Sequence, residues 1–471
     1  MKENKKLSNL EKYSYGFGAL GKDLVCALVF TYLMFYFTDV LGISAAFVGG
    51  LFFFARFWDA INDPVMGMIV DNTRTKWGKF RPWILIGTII NAIAFIFLFS
   101  TPEGMTGTNL YIYVAIAYII WGMTYTIMDI PYWSMLPSLT NNKSDREKVA
   151  VIPRIFASLA WLLVGSFGLQ VVGLLGNGNQ AKGFSVAAII IAAIFIISAI
   201  VTVVFVKERN SLTVAEQKAA PKTGFKEMIN VIKSNDQLRA FIGIILSYNM
   251  AVQLAGGFAI YYFTYAVGNA DLFSVFMMFG AAEMVGLALF PKIAKHLPRP
   301  VIYAIACVLP VAGLLLLLIS GVVFPTNSFF ISASAVLMKL GSGFSLALAT
   351  VMLADVVDYG QYKLGTRNES IVFSVQTLLV KFAGAFAGLI VGLGLTVIGY
   401  EPNVEQTAAT IMGMRVLMIG VPILLTVISF FVYKKFYRLN GSFHDEILAE
   451  LAAADAKPQT SVATMTLAPE L

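Results

Sequence analysis

GFSVAAIIIAAIFIISAIVTVVFV, residues Gly183–Val206, contains no ionisable side chain. Wound as an α-helix it is about 36 Å long at a rise of 1.5 Å per residue, more than the ~30 Å hydrocarbon core of a bilayer. Such a run reads as a membrane span, and eleven more follow the same pattern. On its N-terminal side they fall at 17–40, 45–70, 83–100, 109–136 and 151–176; beyond a polar break they fall at 239–268, 271–295, 300–322, 328–355, 371–399 and 411–435. The 471 residues are 58% hydrophobic and 13% charged, where an ordinary globular chain is about 25% charged, and mean hydropathy is +0.77. This composition argues against a cytosolic enzyme, a nucleic-acid binder and a secreted disulfide scaffold. Cys26 and Cys307 both lie in apolar runs and read as small core hydrophobes. Lys22 and Asp23 interrupt the first run, and no small-residue cleavage site follows it, so no removable signal peptide is expected.

The net charge of +7 is mostly a statement about orientation. Lys and Arg gather in alternate connections, among them Arg74, Lys76, Lys79 and Arg81, then Lys207 to Lys233, then Lys292, Lys295 and Arg299. Short basic loops stay cytoplasmic, so both termini are expected inside a bacterial cytoplasmic membrane, which requires an even number of spans. The expected organisation is a six-helix bundle over 1–206, a cytoplasmic linker over 207–238, a second bundle over 239–440 and a mobile tail over 441–471. Phe35–Gly42, FYFTDVLG, and Tyr261–Gly268, YYFTYAVG, close the first helix of each set. They read as a faint internal repeat, with convergent interfacial aromatics as the alternative. An all-α membrane protein of two parallel six-helix repeats is the layout of the major facilitator fold, with its substrate site at the midplane between halves.

Ionisable side chains inside spans cost at least ~2.5 to 3.5 kcal/mol each on insertion scales, so their positions point to function. Arg56, Asp59 and Asp63, spaced three and four apart, share one face of the second helix. With the amide oxygen of Asn62 the two carboxylates make a hard oxygen site for a small monovalent cation such as Na⁺ or Li⁺; proton coupling would need one titratable carboxylate. The plainer reading is a buried Arg56–Asp59 pair, although one Arg cannot balance two Asp. Lys381 on the eleventh helix is a further candidate partner, a resident ammonium with which a cation would compete. On the fourth helix Trp121, Tyr125, Asp129 and Trp133 recur every four residues, with the Thr126 hydroxyl beside them. A carboxylate accepts hydrogen bonds from sugar hydroxyls and a Trp face stacks on a pyranose, so this stripe has the composition of a sugar site. Lys22, Asp23 and Arg154 can complete it, against the alternatives of a Lys22–Asp23 ion pair and a snorkelling Arg154. Gln376 and Thr377, one turn before Lys381, are candidate hydroxyl readers. Asp355, Asp358, Lys363 and Arg367, with Arg146 and Glu147, look like cytoplasmic gate salt bridges. Glu283, Lys339 and Arg415 have no assigned role.

SYGFGALGKD (Ser14–Asp23), RFWDAINDPVMG (Arg56–Gly67), RTKWGKFRPWILIGT (Arg74–Thr88), WGMTYTIMDIPYWS (Trp121–Ser134) and SVQTLLVK (Ser374–Lys381) resemble the glycoside-pentoside-hexuronide:cation symporters over about Tyr13 to Asn440. The resemblance implies a cation site on Asp59, Asn62, Asp63 and Thr126 near Lys381. It also implies a galactoside site on Lys22, Asp23, Trp121, Tyr125, Asp129, Trp133 and Arg154, with Gln376, Thr377 and Val380. At the place of a cavity Trp in the galactoside-transporting members this sequence has Leu346. The implied activity is import of a melibiose-like galactoside by symport with Na⁺, Li⁺ or H⁺; the alternative is an H⁺-coupled symporter of another glycoside, pentoside or hexuronide. No cofactor, no enzymatic activity, no nucleic-acid partner and a monomeric functional unit are expected.

Overall fold

In a computed structural model residues 7–102, 104–139, 143–208, 225–365 and 369–455 are described, and they are helical almost throughout. The first set of spans is α1 (Asn9–Val40), α2 (Ala45–Asn72), α3 (Arg81–Phe99), α4 (Gly107–Leu139), α5 (Lys143–Gly176) and α6 (Gln180–Phe205). A short amphipathic helix, α7 (Phe225–Ser234), precedes α8 (Asp236–Ala266), α9 (Asp271–Ile293), α10 (Arg299–Val323), α11 (Ser328–Leu364), α12 (Glu369–Val397) and α13 (Ala408–Phe436). Among the described residues eleven helices are long and apolar enough to cross a membrane. The twelfth expected span is α2, whose Ala45–Arg56 stretch is a shorter apolar one and which carries Asp59 and Asp63 further along the helix.

Polar side chains fix where helices begin. Ser8 and Glu11 form a reciprocal capping box at α1, and Asn179, Asn235, Asn327 and Thr407 cap α6, α8, α11 and α13 by accepting from backbone N–H groups in the first turn. The basic loop before α3 is held by Glu208, whose carboxylate accepts from the backbone N–H groups of Lys79, Phe80 and Arg81 at 2.8, 2.9 and 3.2 Å. Gly78, at φ +109°, lets the loop approach so closely that a Cβ there would meet Glu208 Oε1 at 2.4 Å.

The repeat is structural. Tyr36–Val40 and Tyr262–Ala266 both widen into a π-turn, and both end on a left-handed glycine, Gly42 at φ +69° and Gly268 at φ +76°. Interfacial aromatics alone would not reproduce a backbone irregularity at matching positions. The matched residues also meet across the halves, since Phe35 packs edge to face on Tyr261 with centroids 6.2 Å apart.

Two expected boundaries shift. α8 starts at Asp236 because Asn235 caps it, so the last residues assigned to the linker belong to the span. The tail is helical over Ser442–Asp455 (α14), packed on α11.

The halves join through α2 on α12 and α5 on α9. The named close approaches lie toward the end of the bundle away from the termini. Gly49 meets Gly392 backbone to backbone, where a Cβ on Gly392 would lie 2.3 Å from the Ala45 carbonyl oxygen and 2.7 Å from Gly49 Cα. Beyond them Asp39, 5% exposed, is gripped from the other half. The hydroxyls of Tyr265 and Tyr400 donate to Asp39 Oδ1, Asn403 Nδ2 donates to its carbonyl at 2.7 Å, and Thr38 bonds Tyr261 at 2.9 Å. These contacts join the halves at that face, as expected of a cavity closed there.

Candidate functional site

α1 is locked to α4 by Tyr15 and Tyr132, whose rings stack at 4.6 Å and whose hydroxyls donate to each other's backbone carbonyl. That fixes the register which carries Lys22, two turns further along α1, onto the α4 stripe. The Lys22 ammonium, nearly inaccessible, lies 3.1 Å from Asp23 Oδ2 and 3.0 Å from Asp129 Oδ1, donates to Tyr125 OH at 3.4 Å, and stands 5.0 Å above the Trp133 ring. Trp121 stacks obliquely on Tyr125 at 5.7 Å. Its indole Nε1 is buried with no hydrogen-bond partner, a donor that a polar ligand would satisfy. Lys22 and Asp23 do pair, but Asp129 joins them, so the pair and the stripe are one cluster.

Beside it lies the carboxylate pair of α2. Arg56 holds Asp59 at 3.0 Å. Asp63 accepts from Thr126 Oγ1 on α4 at 3.1 Å and pairs with Lys381 reaching over from α12. Asp59, Asp63, Thr126 and Lys381 line one pocket of about 220 Å³ together with Trp121, Tyr125 and Asp129. Both readings of Arg56 and Lys381 are therefore realised: each acid has its own cation, and Asp63 takes its cation from the opposite half. Two carboxylates and a hydroxyl form a hard donor set that suits a small cation. Asn62 donates to the Met123 carbonyl at 3.4 Å and does not line the pocket.

A second, larger cavity of about 590 Å³ lies between the halves and shares Phe30, Arg56, Tyr118 and Lys381 with the first. Val380 lines it. Gln376, half-buried, and Thr377, exposed, lie a turn away and line neither cavity. Arg154 is exposed and is also absent from both walls. Leu346, 47% exposed, does not line either cavity, so the expected cavity position on the tenth span is not realised.

Asp355, expected in a cytoplasmic gate, is placed among C-terminal residues. Its partners are Arg299 at the start of α10, Tyr437 at 3.4 Å and His444 of α14 at 3.1 Å, all in the C-terminal half. Lys363 likewise pairs with Asp236 at the start of α8, and Asp358 is half-buried at the same end. The side chains of Arg146, Glu147 and Arg367 lie outside the described residues.

Phe30, Tyr118 and Trp161 were not singled out from sequence. Phe30 carries the Arg56 guanidinium 4.9 Å above its ring, stacks on Trp161 at 6.2 Å and meets Trp121 edge on at 6.1 Å. Trp161 donates from Nε1 to Asp23 Oδ1 at 3.3 Å.

Two helical bundles around a mid-membrane cavity whose walls carry paired charges define a multi-pass membrane transporter. Residues 14–441 match the family described as MFS/sugar transport protein, and the chain belongs to that family. It is a sugar symporter of the major facilitator type, not an enzyme. The isoprimeverose transporter of Lactiplantibacillus pentosus is 32% identical over 429 residues, 90% of this chain and 88% of that protein. The raffinose carrier protein of Pediococcus pentosaceus is 29% identical over 93% of this chain and 70% of its own length. Among solved structures, a bacterial homologue of the human lysosomal transporter Spinster, described as inward-facing and unoccupied, aligns with a TM-score of 0.64 at 13% identity, covering 92% of this chain and 97% of that one; the likeness concerns the fold.

Proposed function

We propose that this protein imports a galactoside, melibiose or a close analogue, by symport with Na⁺ across a bacterial cytoplasmic membrane, working as a monomer with both termini inside, in the manner of a melibiose permease. The observation that carries the reading is Asp63, which accepts from Thr126 of its own half and pairs with Lys381 of the other. A cation bound between Asp59 and Asp63 displaces the ammonium, so cation occupancy changes a contact between the halves. The same pocket wall carries Trp121, Tyr125 and Asp129, so an ordered cation site steadies the sugar cluster. By linkage, whatever factor the cation adds to sugar affinity the sugar adds to cation affinity. The sugar sits against the Trp faces, gives hydroxyls to Asp129 and Asp23, and accepts from Lys22.

Binding of labelled melibiose to purified protein, with and without Na⁺, tests this. Na⁺ is expected to raise sugar affinity in the wild type and to lose that effect in Asp63→Cys. A sugar affinity indifferent to Na⁺, or Na⁺ stimulation retained in Asp63→Cys, sinks the assignment. A second reading is an H⁺-coupled symporter of another glycoside; a relative whose name carries isoprimeverose supports its sugar part. A competition panel of sugars across pH separates the two; Li⁺ as coupling ion is an arm of the same experiment.

A further inference from the structure

The C-terminal wall of the larger cavity carries an ion pair with no role in the reading above. Lys339 Nζ on α11 lies 3.4 Å from Glu283 Oε2 on α9, and both residues line the cavity with Gln253 and Ser342. Glu283 is twelve residues into α9 and Lys339 eleven into α11, about 17 Å along each helix at 1.5 Å per residue, near the middle of a ~30 Å hydrocarbon core. Charges at that depth are costly.

Helix packing does not account for them. α9 and α11 already touch through backbone, since a Cβ on Gly286 would lie 2.7 Å from the Leu340 carbonyl oxygen and one on Gly343 would lie 2.3 Å from the Glu283 carbonyl oxygen. The side chains of the pair remain 28% and 31% accessible, whereas a pair serving only as cement would be closed and fully bonded. At 3.4 Å the contact leaves ammonium hydrogens and carboxylate lone pairs for a further partner. Gln253, exposed in the same wall, adds an amide that both donates and accepts. A carboxylate, an ammonium and an amide on an otherwise apolar surface bind a neutral polyhydroxylated ring better than an anion or a cation, because the two charges cancel. The cluster around Lys22 and Asp129 is small and lies in the N-terminal half. The two cavities meet at Phe30, Arg56, Tyr118 and Lys381, so a ligand longer than one ring extends from that cluster into the space that Glu283 and Lys339 face.

We propose that Glu283 and Lys339, with Gln253, form a second saccharide subsite that binds the hydroxyls of the ring not held by the Lys22–Asp23–Asp129 cluster, and so sets preference for oligosaccharides over single sugars. The inference rests on the reading of the first cluster as a sugar site.

The test is binding to purified full-length protein of melibiose and of methyl α-galactoside, a two-ring and a one-ring glycoside, in wild type, Glu283→Gln, Lys339→Gln and the double variant, with thermal unfolding recorded for each. Loss of a hydrogen bond to a charged group predicts roughly tenfold weaker melibiose binding, with methyl α-galactoside within about twofold of wild type. The double variant, which leaves no lone charge behind, keeps a wild-type melting temperature and still binds melibiose weakly. Equal losses for both ligands, or no loss for either, overturn the subsite while leaving the first cluster intact. If wild type binds neither glycoside, the galactoside reading itself fails and takes this one with it.

Discussion

Replacing Asp39 by Ala removes the acceptor on which the closed face depends. Two hydroxyls from the C-terminal half, Tyr265 and Tyr400, donate to one carboxylate oxygen. A hydrogen bond to an ionised group contributes about 1.5 to 3 kcal/mol net. Taking the lower figure for each, Asp39→Ala costs the closed face about 3 kcal/mol, a shift of roughly 100-fold toward the state open at that face. Asp39→Asn keeps a neutral acceptor and is expected to shift it by only about tenfold. The readout is a cysteine at Val252, which lines the large cavity and is 36% exposed, reacting with an impermeant maleimide supplied at the face opposite the termini. Cys26 and Cys307 are 7% and 4% exposed and give little background. Labelling is expected to accelerate in the order wild type, Asp39→Asn, Asp39→Ala. An unchanged rate in Asp39→Ala, with normal labelling from the terminal face, would refute the idea that this contact holds the face shut.

Gly392→Ala is expected to act in the same direction by another route: its Cβ meets backbone atoms of Ala45 and Gly49, which cannot rotate away, so α2 and α12 must separate at a cost of about 1 to 3 kcal/mol; the same labelling assay checks it. Asn235→Ala removes the α8 cap, which accepts from Leu238 N–H at 2.9 Å and donates to the Val356 carbonyl at 3.2 Å; a loss of about 1 to 2 kcal/mol lowers the melting temperature and leaves sugar affinity unchanged. Glu208→Ala frees three backbone N–H groups before α3 and is expected to cost about 1 to 2 kcal/mol, read as a lower melting temperature with faster proteolysis in the 74–81 loop.

The twelve expected runs, including the one that charges break, correspond to helices because a bilayer admits few alternatives: every backbone polar group must be satisfied internally. The faces of those helices were legible too. Arg56, Asp59 and Asp63 do lie together, as do Trp121, Tyr125 and Asp129, because spacings of three and four fix a side of a helix whatever surrounds it. Phe30 and Trp161 escaped because a lone aromatic in a rich apolar run looks like packing until its neighbour is known. The partners of Asp355 in this structure, Arg299 and His444, were not legible because they lie 56 and 89 positions away in sequence, and no local pattern points to them.

By itself, then, the sequence determined that this is a membrane protein of paired bundles and which residues bear its scarce internal charge. The tertiary structure decided which charge answers which: Lys22 bridging to Asp129, Lys381 crossing to Asp63 over 318 positions, Asp39 held by tyrosines of the other repeat. The physical reason is a difference in range. Helical periodicity is set within a few residues by backbone geometry, whereas the rotation and depth of one helix against another are set by packing between segments far apart in the chain. Those long-range choices put a contact between the two halves, Asp63 to Lys381, among the residues that line the candidate cation and sugar pocket.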